Sequence, residues 1–367
     1  MIIIGKKVAF KELLLKKNYI VKPDRLYYDK VKTNWDKAAK PLDSLGVFED
    51  LTARIGCILE DTELDINKKA VIVMCADNGV VDEGISQCGQ EVTFAVARSM
   101  GENRSSVGKM AALCGTKIIP VDIGINSHED IPGVLDKKIS CGTRNFAKEP
   151  AMTKEEMYNA IQVGMDIVFD CKKDGYSILG IGEMGIGNTT TSSAVAASFL
   201  AGDSMDDYID KLVGRGAGLS DRGLAKKKSV VKAAIVKYNL CNADILTVLQ
   251  TVGGLDIAGL VGVIVGGAIY HIPVVLDGII SAVAALVAVK LFPEVKEYIL
   301  ASHMGKEPAM KYLMEELGLM PVIYGGLALG EGTGAVMMFS LLDMALSVYK
   351  RQTTFEDIHI EPYKRLV

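Results

Sequence analysis

The sequence predicts an α/β protein in which helices cover both faces of a parallel sheet, a three-layer Rossmann-like arrangement. The first indication is a set of short apolar runs without polar alternation, each followed by Gly, Asp or Asn and then by an Ala-rich helical stretch. Strands of this kind are buried on both faces of a sheet. The second indication is composition, because 37 of the 367 residues are glycine, 49% are hydrophobic and only 6% are aromatic. This balance favours closely packed strands and tight turns.

The elements follow a regular order along the chain. Residues 1–65 are charged and helix-patterned, as between Asp43 and Glu60. Four apolar runs that are too short for helices then recur, and helical stretches separate them. The last third continues with a predicted helix over 307–317, a glycine-rich loop over 325–334 and a helix over 335–350. The four predicted strands are 70–76, 117–123, 176–181 and 272–276.

Charge and cysteine usage exclude several classes of function. The net charge is −4 without a basic stripe, whereas nucleic-acid binders need concentrated positive charge. The seven cysteines lie singly, which indicates reduced thiols in a cytoplasmic protein, and the four histidines lack metal-ligand spacing. The start of the chain, Met1 to Lys7, is too short an apolar run for a signal peptide.

One segment has the length of a membrane span. Residues 257–276 are uncharged for twenty residues. Glycines and Pro273 interrupt the segment, however, and Asp277 follows it directly. We therefore predict a buried helix that ends near Tyr270 and is followed by a short strand, and we expect no membrane partner.

Polar and glycine-rich loops follow the predicted strands. Ligands of such folds bind beyond the carboxyl ends of the strands, so these loops are the candidate ligand edge. Asp77 and Asp277 each come directly after a strand, although for either one alone a plain Asx turn or a helix N-cap is the favoured interpretation.

The strongest local signal is the glycine-rich segment from Gly180 to Thr191, which opens a predicted helix over 192–200. Glycines allow consecutive N–H groups to point at one anion, and the helix dipole adds attraction. The segment lacks the lysine of a P-loop and the spacing of a dinucleotide fingerprint. A tight strand–helix turn is the alternative, and Glu183 would oppose a phosphate unless it faces another group.

Two further segments combine glycines with charge. Residues 213–219 are followed by Lys226, Lys227 and Lys228, a pattern that suits the capture of a phosphate or carboxylate but that alone indicates a solvated helix face. Glu331 is flanked by glycines between an apolar stretch and an apolar helix. Desolvation there would raise its pKa towards that of a general base, while an acid at a helix N-terminus is the ordinary alternative.

Taken together, six ordered segments resemble the nicotinate-nucleotide–dimethylbenzimidazole phosphoribosyltransferases, which act in cobamide lower-ligand assembly. The likeness spans about residues 70 to 345. It implies a large catalytic domain over 66–337 and a small helical domain from 1–65 plus 338–367, in a homodimer. The segments are 142–152, 182–190, 214–218, 272–278, 302–308 and 330–334.

The resemblance also implies a reaction. The 5-phosphoribosyl group would pass from nicotinate mononucleotide to an aromatic base, with inversion at C1′ to an α-riboside 5′-phosphate and with release of nicotinate. No cofactor or metal would be needed. Glu331 would be the general base, Glu183 the second carboxylate and Lys227 the site lysine, with Lys226 as the alternative register.

The resemblance extends to the binding residues. Phosphate and ribose would contact Gly185, Gly187, Asn188, Thr189, Thr190, Gly216, Asp277 and Ser302. The acceptor base would contact Asp77, Ser86, Gln90, Met184 and Leu329.

Two departures from the family pattern concern the acceptor. Asn78 stands where relatives usually have His, and residues 86–89 lack the aromatic residue and proline that relatives commonly carry. The loop should therefore be roomier and more mobile, which leaves a benzimidazole, a purine or a phenol as the acceptor. Some relatives that act on phenols assemble from two homologous subunits. A heteromer, or a catalytically weak nucleotide-binding subunit that supports an active homologous partner, is thus the alternative.

Overall fold

A six-stranded sheet lies at the centre of the molecule. The structure, a computed structural model, describes residues 6–16, 19–202 and 205–365, so residues 1–5 of the signal-peptide prediction lie outside the described part. The strands lie in the order β3-β2-β1-β4-β5-β6, and each neighbouring pair is parallel. This is the strand order of the Rossmann fold. The strands are β1 (Lys69–Ala76), β2 (Thr116–Gly124), β3 (Leu135–Asp136), β4 (Ile178–Met184), β5 (Val274–Leu276) and β6 (Ile299–Ala301).

Helices form the two outer layers. In the described residues they are α1 (Phe10–Leu15), α2 (Arg25–Asp36), α3 (Val47–Leu59), α4 (Glu91–Gly101), α5 (Ser106–Leu113), α6 (Lys154–Lys173), α7 (Asn188–Leu200), α8 (Met205–Leu212), α9 (Asp221–Lys237), α10 (Ile245–Val252), α11 (Leu255–Ile269), α12 (Ile279–Leu291), α13 (Ala309–Leu317) and α14 (Thr333–Lys350). Short 3₁₀ turns cover 79–83, 240–242 and 293–298.

Both faces of the sheet are buried, as the apolar strands predict. Every residue of β1 is buried. Alternate residues such as Ile72 and Met74 join the core that contains α6, α7, α11 and α12, whereas Val71 and Val73 join the core that contains α3, α5 and α14. Side chains of a strand alternate between faces, so a strand that is apolar at every position needs cover on both sides. The predicted fold class is confirmed.

The four predicted strands are present, with shifted ends. The largest shift is at β4, which continues to Met184, and α7 begins at Asn188 rather than at 192. The glycine-rich loop is thereby reduced to residues 185–187, and Asn188 and Thr189 lie in the first turn of the helix. The edge strands β3 and β6 were not predicted, because strands of two and three residues carry too little pattern to detect.

The apolar segment from 257 to 276 is part of the core. All residues of α11 are buried, Tyr270 is its C-cap as predicted, and β5 follows. A Cβ on Gly262 would collide with the backbone of Ile161 in α6, so glycine permits the close contact of these two helices. No helix in the described residues is long and apolar enough to cross a membrane.

Helix α2 and the segment after it contact helix α14 and the segment after it. The Asn34 side-chain amide donates to the Tyr349 hydroxyl at 3.1 Å, and the Ala39 N–H donates to the Thr353 carbonyl at 2.8 Å. Phe10, which lies nearer the start of the chain, instead packs in the core that contains α6. The boundary near residue 338 falls inside α14, which also covers the sheet. The two-domain division stays a prediction.

Candidate active site

A cavity opens at the carboxyl edge of the sheet. It encloses about 870 Å³ of space, including the solvent at its mouth. Its walls come from residues 183–186, 188–189, 216–217, 278–280, 305–307 and 327–330 and from His303. These residues end β4, follow β4, β5 or β6, or belong to the two distant glycine loops. This is the edge at which open parallel sheets bind ligands.

The predicted site residues fall into three groups around this cavity. Glu183, Met184, Gly185, Asn188, Thr189, Gly216 and Leu329 line it. Ser86 and Gly187 line a smaller adjoining cavity at the N-terminus of α7. The remaining residues line neither cavity and are half-buried or buried; they are Asp77, Gln90, Thr190, Lys227, Asp277, Ser302 and Glu331.

Positive charge converges at the N-terminus of α7. Gly187, the N-cap, has φ +96°, a conformation that glycine adopts without strain. The Lys227 Nζ donates to the Thr189 Oγ1 at 2.9 Å from α9, and Lys227 is fully buried. Burial lowers the pKa of its ammonium to about 8. The neighbouring Lys226 is exposed, so the structure brings Lys227 and not Lys226 to this corner.

The loop around Gly216 completes the corner. Gly216 has φ +56°, and a Cβ there would lie 2.6 Å from the Thr189 Oγ1, so a side chain at this position would be strained and would displace the Thr189 hydroxyl. Its N–H donates to the Glu307 Oε1 at 2.9 Å. The Glu307 carboxylate also raises the pKa of Lys227, against the larger effect of burial. Glu307 therefore fixes the loop against the cavity wall.

One half-buried carboxyl group, that of Glu183, and one fully buried carboxyl group, that of Asp256, share one amide. The Asn188 side-chain amide donates to the Glu183 Oε2 and, at 3.2 Å, to the Asp256 Oδ2. Burial, followed by the nearby Asp256 and Asp277 carboxylates, raises the pKa of Glu183 to about 8. Burial likewise raises the pKa of Asp256 to about 7. Carboxyl groups in such surroundings resist ionisation because the charged form loses its hydration.

Glu331 lies on a strained turn. Its φ is +61°, between Gly330 at +81° and Gly332 at +88°, and a non-glycine residue in this region costs about 1–3 kcal/mol. Its Oε2 accepts the Val107 N–H at 3.2 Å, at the N-terminus of α5. Burial raises the pKa of this carboxyl, and the Val107 amide opposes that effect.

Asp277 holds the turn in place. Its two carboxylate oxygens accept the N–H groups of Gly332 and Gly334, at 3.1 and 2.7 Å, at the start of α14. Ser302 and His303 pair beside it, with 3.0 Å between Oγ and Nδ1. Asp277 thus holds the first turn of α14 from another element. The sequence favoured an Asx turn or a cap of the helix that follows Asp277, but the N-cap of that helix is Gly278.

Comparison with known proteins identifies the family. A family model described as "Phosphoribosyltransferase" matches residues 20–360. The chain belongs to this family. A nicotinate-nucleotide–dimethylbenzimidazole phosphoribosyltransferase of Acetivibrio thermocellus is 45% identical over 92% of this chain and 94% of the relative. One of Clostridium acetobutylicum is 43% identical over 94% and 96%.

A solved structure supports the same family assignment. The crystal structure of CobT from Thermus thermophilus superimposes with a TM-score of 0.85 at 31% identity, over 92% of this chain and 99% of the other. The protein is therefore an enzyme of the phosphoribosyltransferase, or pentosyltransferase, class, as the resemblance implied.

Sequence reasoning missed two groups of this phosphoribosyltransferase. Asp256 is the lone acidic residue between Asp244 and Asp277, and that isolation in an apolar segment was the available signal. Glu307 belonged to a recognised segment but had no assigned role. Among the residues that the structure describes, no group of three or more His, Cys, Asp and Glu side chains is placed to hold a metal ion.

Proposed function

We propose that this enzyme transfers the 5-phosphoribosyl group from nicotinate mononucleotide to an aromatic acceptor base, and forms an α-riboside 5′-phosphate and nicotinate. The names of the relatives support both substrates. The observation that carries the proposal is one continuous cavity wall, on which the α7 N-terminus beside Lys227 lies next to the Glu183 carboxyl group. The acceptor is 5,6-dimethylbenzimidazole or a related benzimidazole, purine or phenol.

The phosphate of the donor would bind at the N-terminus of α7. The first helical N–H groups and the helix dipole favour an anion there. Gly185, Gly187, Asn188 and Thr189 surround this point, and the Lys227 ammonium is 2.9 Å from the Thr189 Oγ1. A bound phosphate would stabilise the charged ammonium against its desolvation, because opposite charges raise the pKa of a lysine.

The ribose and the leaving group would lie near Glu183. The pyridinium ring of the donor is cationic, and C1′ gains positive charge as neutral nicotinate leaves. A carboxylate beside that charge stabilises the transition state. Because the pKa of Glu183 is raised to about 8, we expect binding of the cationic donor to release a proton from it at neutral pH.

The acceptor would be activated by Glu331. Its neighbours Leu329 and Gly330 line the cavity. The proposal requires the carboxylate to leave the Val107 N–H and turn towards an acceptor N–H or O–H. General-base catalysis of this kind contributes roughly 10²–10⁴-fold to a rate. Attack opposite the leaving group inverts C1′. Asp77, Ser86, Gln90 and Met184 stay predictions for the acceptor pocket, as do the homodimer and the cytoplasmic location.

The test offers nicotinate mononucleotide and a panel of benzimidazoles, adenine and phenols to the purified chain. We expect equal amounts of nicotinate and one riboside phosphate, identified by mass. Glu331→Gln should lower kcat by roughly 10²–10⁴-fold with little change in KM, while Glu315→Gln on the exposed face of α13 serves as the matched control. Parental turnover of Glu331→Gln would contradict the mechanism.

A negative result has a defined meaning. If the purified chain forms no product from any acceptor but restores turnover when a homologous subunit is added, the chain is the nucleotide-binding subunit of a heteromer and not the catalyst proposed here.

A further inference from the structure

Asp256 is a buried acid with no contact to the cavity. It is fully buried in the first turn of α11. Its Oδ1 accepts the Ile257 N–H at 2.9 Å. Its carboxyl group also accepts from the side-chain amides of Asn78 and Asn188. An acid in the interior is retained at a cost in stability, and these partners are neutral groups that cannot offset its charge.

The backbone around Asp256 is shaped to admit the carboxyl group. A Cβ on Gly185 would collide with the Ala76 carbonyl oxygen and would also lie 3.0 Å from the Asp256 Oδ2. A Cβ on Gly254 would collide with the Asp256 Oδ1. Glycine at both positions therefore leaves room for the Asp256 carboxyl group. Gly185 also belongs to the turn before α7 at which the donor phosphate is proposed to bind.

Asn188 connects Asp256 to the cavity. Its side-chain nitrogen donates to both Asp256 and Glu183, so the position of one carboxyl group constrains the other. We propose that Asp256 is a positioning residue of phosphoribosyl transfer: through the shared Asn188 amide it orients the Glu183 carboxyl group. The inference rests on the proposed function, because the carboxyl group that Asp256 would orient, that of Glu183, is the one proposed to face the donor.

Several ionisable groups surround Glu183 and Asp256. Glu183 faces Asp256 from α11, Asp277 from the loop after β5 and Glu331 from the turn before α14, and Asp256 has the largest charge effect of the three. Asp256 faces Glu183 and the neutral Cys75 thiol of β1. Removal of the Asp256 charge should therefore ease the ionisation of Glu183.

The experiment measures kcat/KM for nicotinate mononucleotide from pH 6 to 9 in the full chain and in Asp256→Asn. The variant keeps the size of the side chain and removes its charge. We expect the acidic limb of the profile to move to lower pH by about one unit. The ratio of the variant's kcat/KM to the parent's would then be about tenfold higher at pH 6 than at pH 9.

The control is Asp122→Asn. Asp122 is also buried, but its Oδ2 is 2.7 Å from the Lys138 Nζ, and it is not among the charges that act on Glu183. The limb should stay in place in this variant. A constant ratio across pH for Asp256→Asn would mean that Asp256 only supports the fold, and would overturn the inference.

A second measurement tests the inference if Asp256→Asn fails to fold. Infrared difference spectra of the unaltered enzyme, with ¹³C in the aspartate carboxyl groups, should show a protonated aspartate at pH 6. Its carboxyl band should change frequency when Glu183 is replaced by Gln, because that change alters the hydrogen bonding of the Asn188 amide that both carboxyl groups share. A band of unchanged frequency in Glu183→Gln would overturn the coupling. Failure of the proposed function is distinguishable, because the unaltered enzyme would then not turn over nicotinate mononucleotide at any pH.

Discussion

Replacement of Glu183 by Gln should change how stability depends on pH. Burial and neighbouring carboxylates raise the pKa of Glu183 from 4.5 to about 8 in the folded enzyme. Below pH 4.5 both folded and unfolded states carry the proton. Between about 4.5 and 8 the unfolded chain ionises while the folded one stays protonated, so stability falls as the pH rises.

The size of the effect follows from the shift. One pKa unit is worth about 1.4 kcal/mol, so Glu183 should lower the free energy of unfolding by at most about 4 kcal/mol between pH 4.5 and 8. Contact with the solvent in the cavity reduces that figure. A glutamine does not titrate, so Glu183→Gln should gain stability relative to the parent by a few kcal/mol over the same range.

The assay is urea unfolding of both proteins at pH 5, 6.5 and 8. The difference in unfolding free energy between them cancels the titration of distant groups. Glu315→Gln, an exposed substitution on α13, is the control and should show a much smaller trend. A Glu183→Gln difference that stays constant from pH 5 to 8 would refute the reasoning, because it would mean that Glu183 is charged in the folded enzyme throughout.

Three further predictions concern the walls of the site. Lys227→Met should weaken binding of nicotinate mononucleotide by at least tenfold in a calorimetric titration, because it removes the buried ammonium. The control, Lys226→Met, changes an exposed lysine and should bind normally. Equal losses in the two variants would contradict the assignment of Lys227 to the phosphate site. Gly332→Ala should lower the unfolding free energy by about 2–4 kcal/mol, since its φ of +88° and a clash with a buried valine of β1 both act against a side chain. Gly326→Ala has a positive φ but open space, so it should cost about 1 kcal/mol, and the comparison fails if the two cost the same. Asp277→Asn should lower the unfolding free energy by about 1–2 kcal/mol. It should also lower kcat, because it weakens the two hydrogen bonds that hold the Glu331 turn. An unchanged kcat with lowered stability would limit Asp277 to a structural role.

The sequence by itself determined the fold class and the family. Strands such as 70–76 are apolar at every position, and such strands are stable only between two layers of helices. The glycine-rich segments keep their order along the chain, so they could be matched without knowledge of their positions in space. For the same reason the sequence singled out Glu183, Glu331 and the region of Lys227.

Only the tertiary structure decided which groups meet. Helical periodicity turns Lys227 into the core and Lys226 to solvent, a difference that adjacent residues in one lysine run do not reveal. Contacts between distant segments, such as Glu331 with Val107 and Asp256 with Asn188, depend on how the layers pack. The raised pKa values of the buried carboxyl groups arise from that packing, because desolvation is a property of the surroundings and not of the residue.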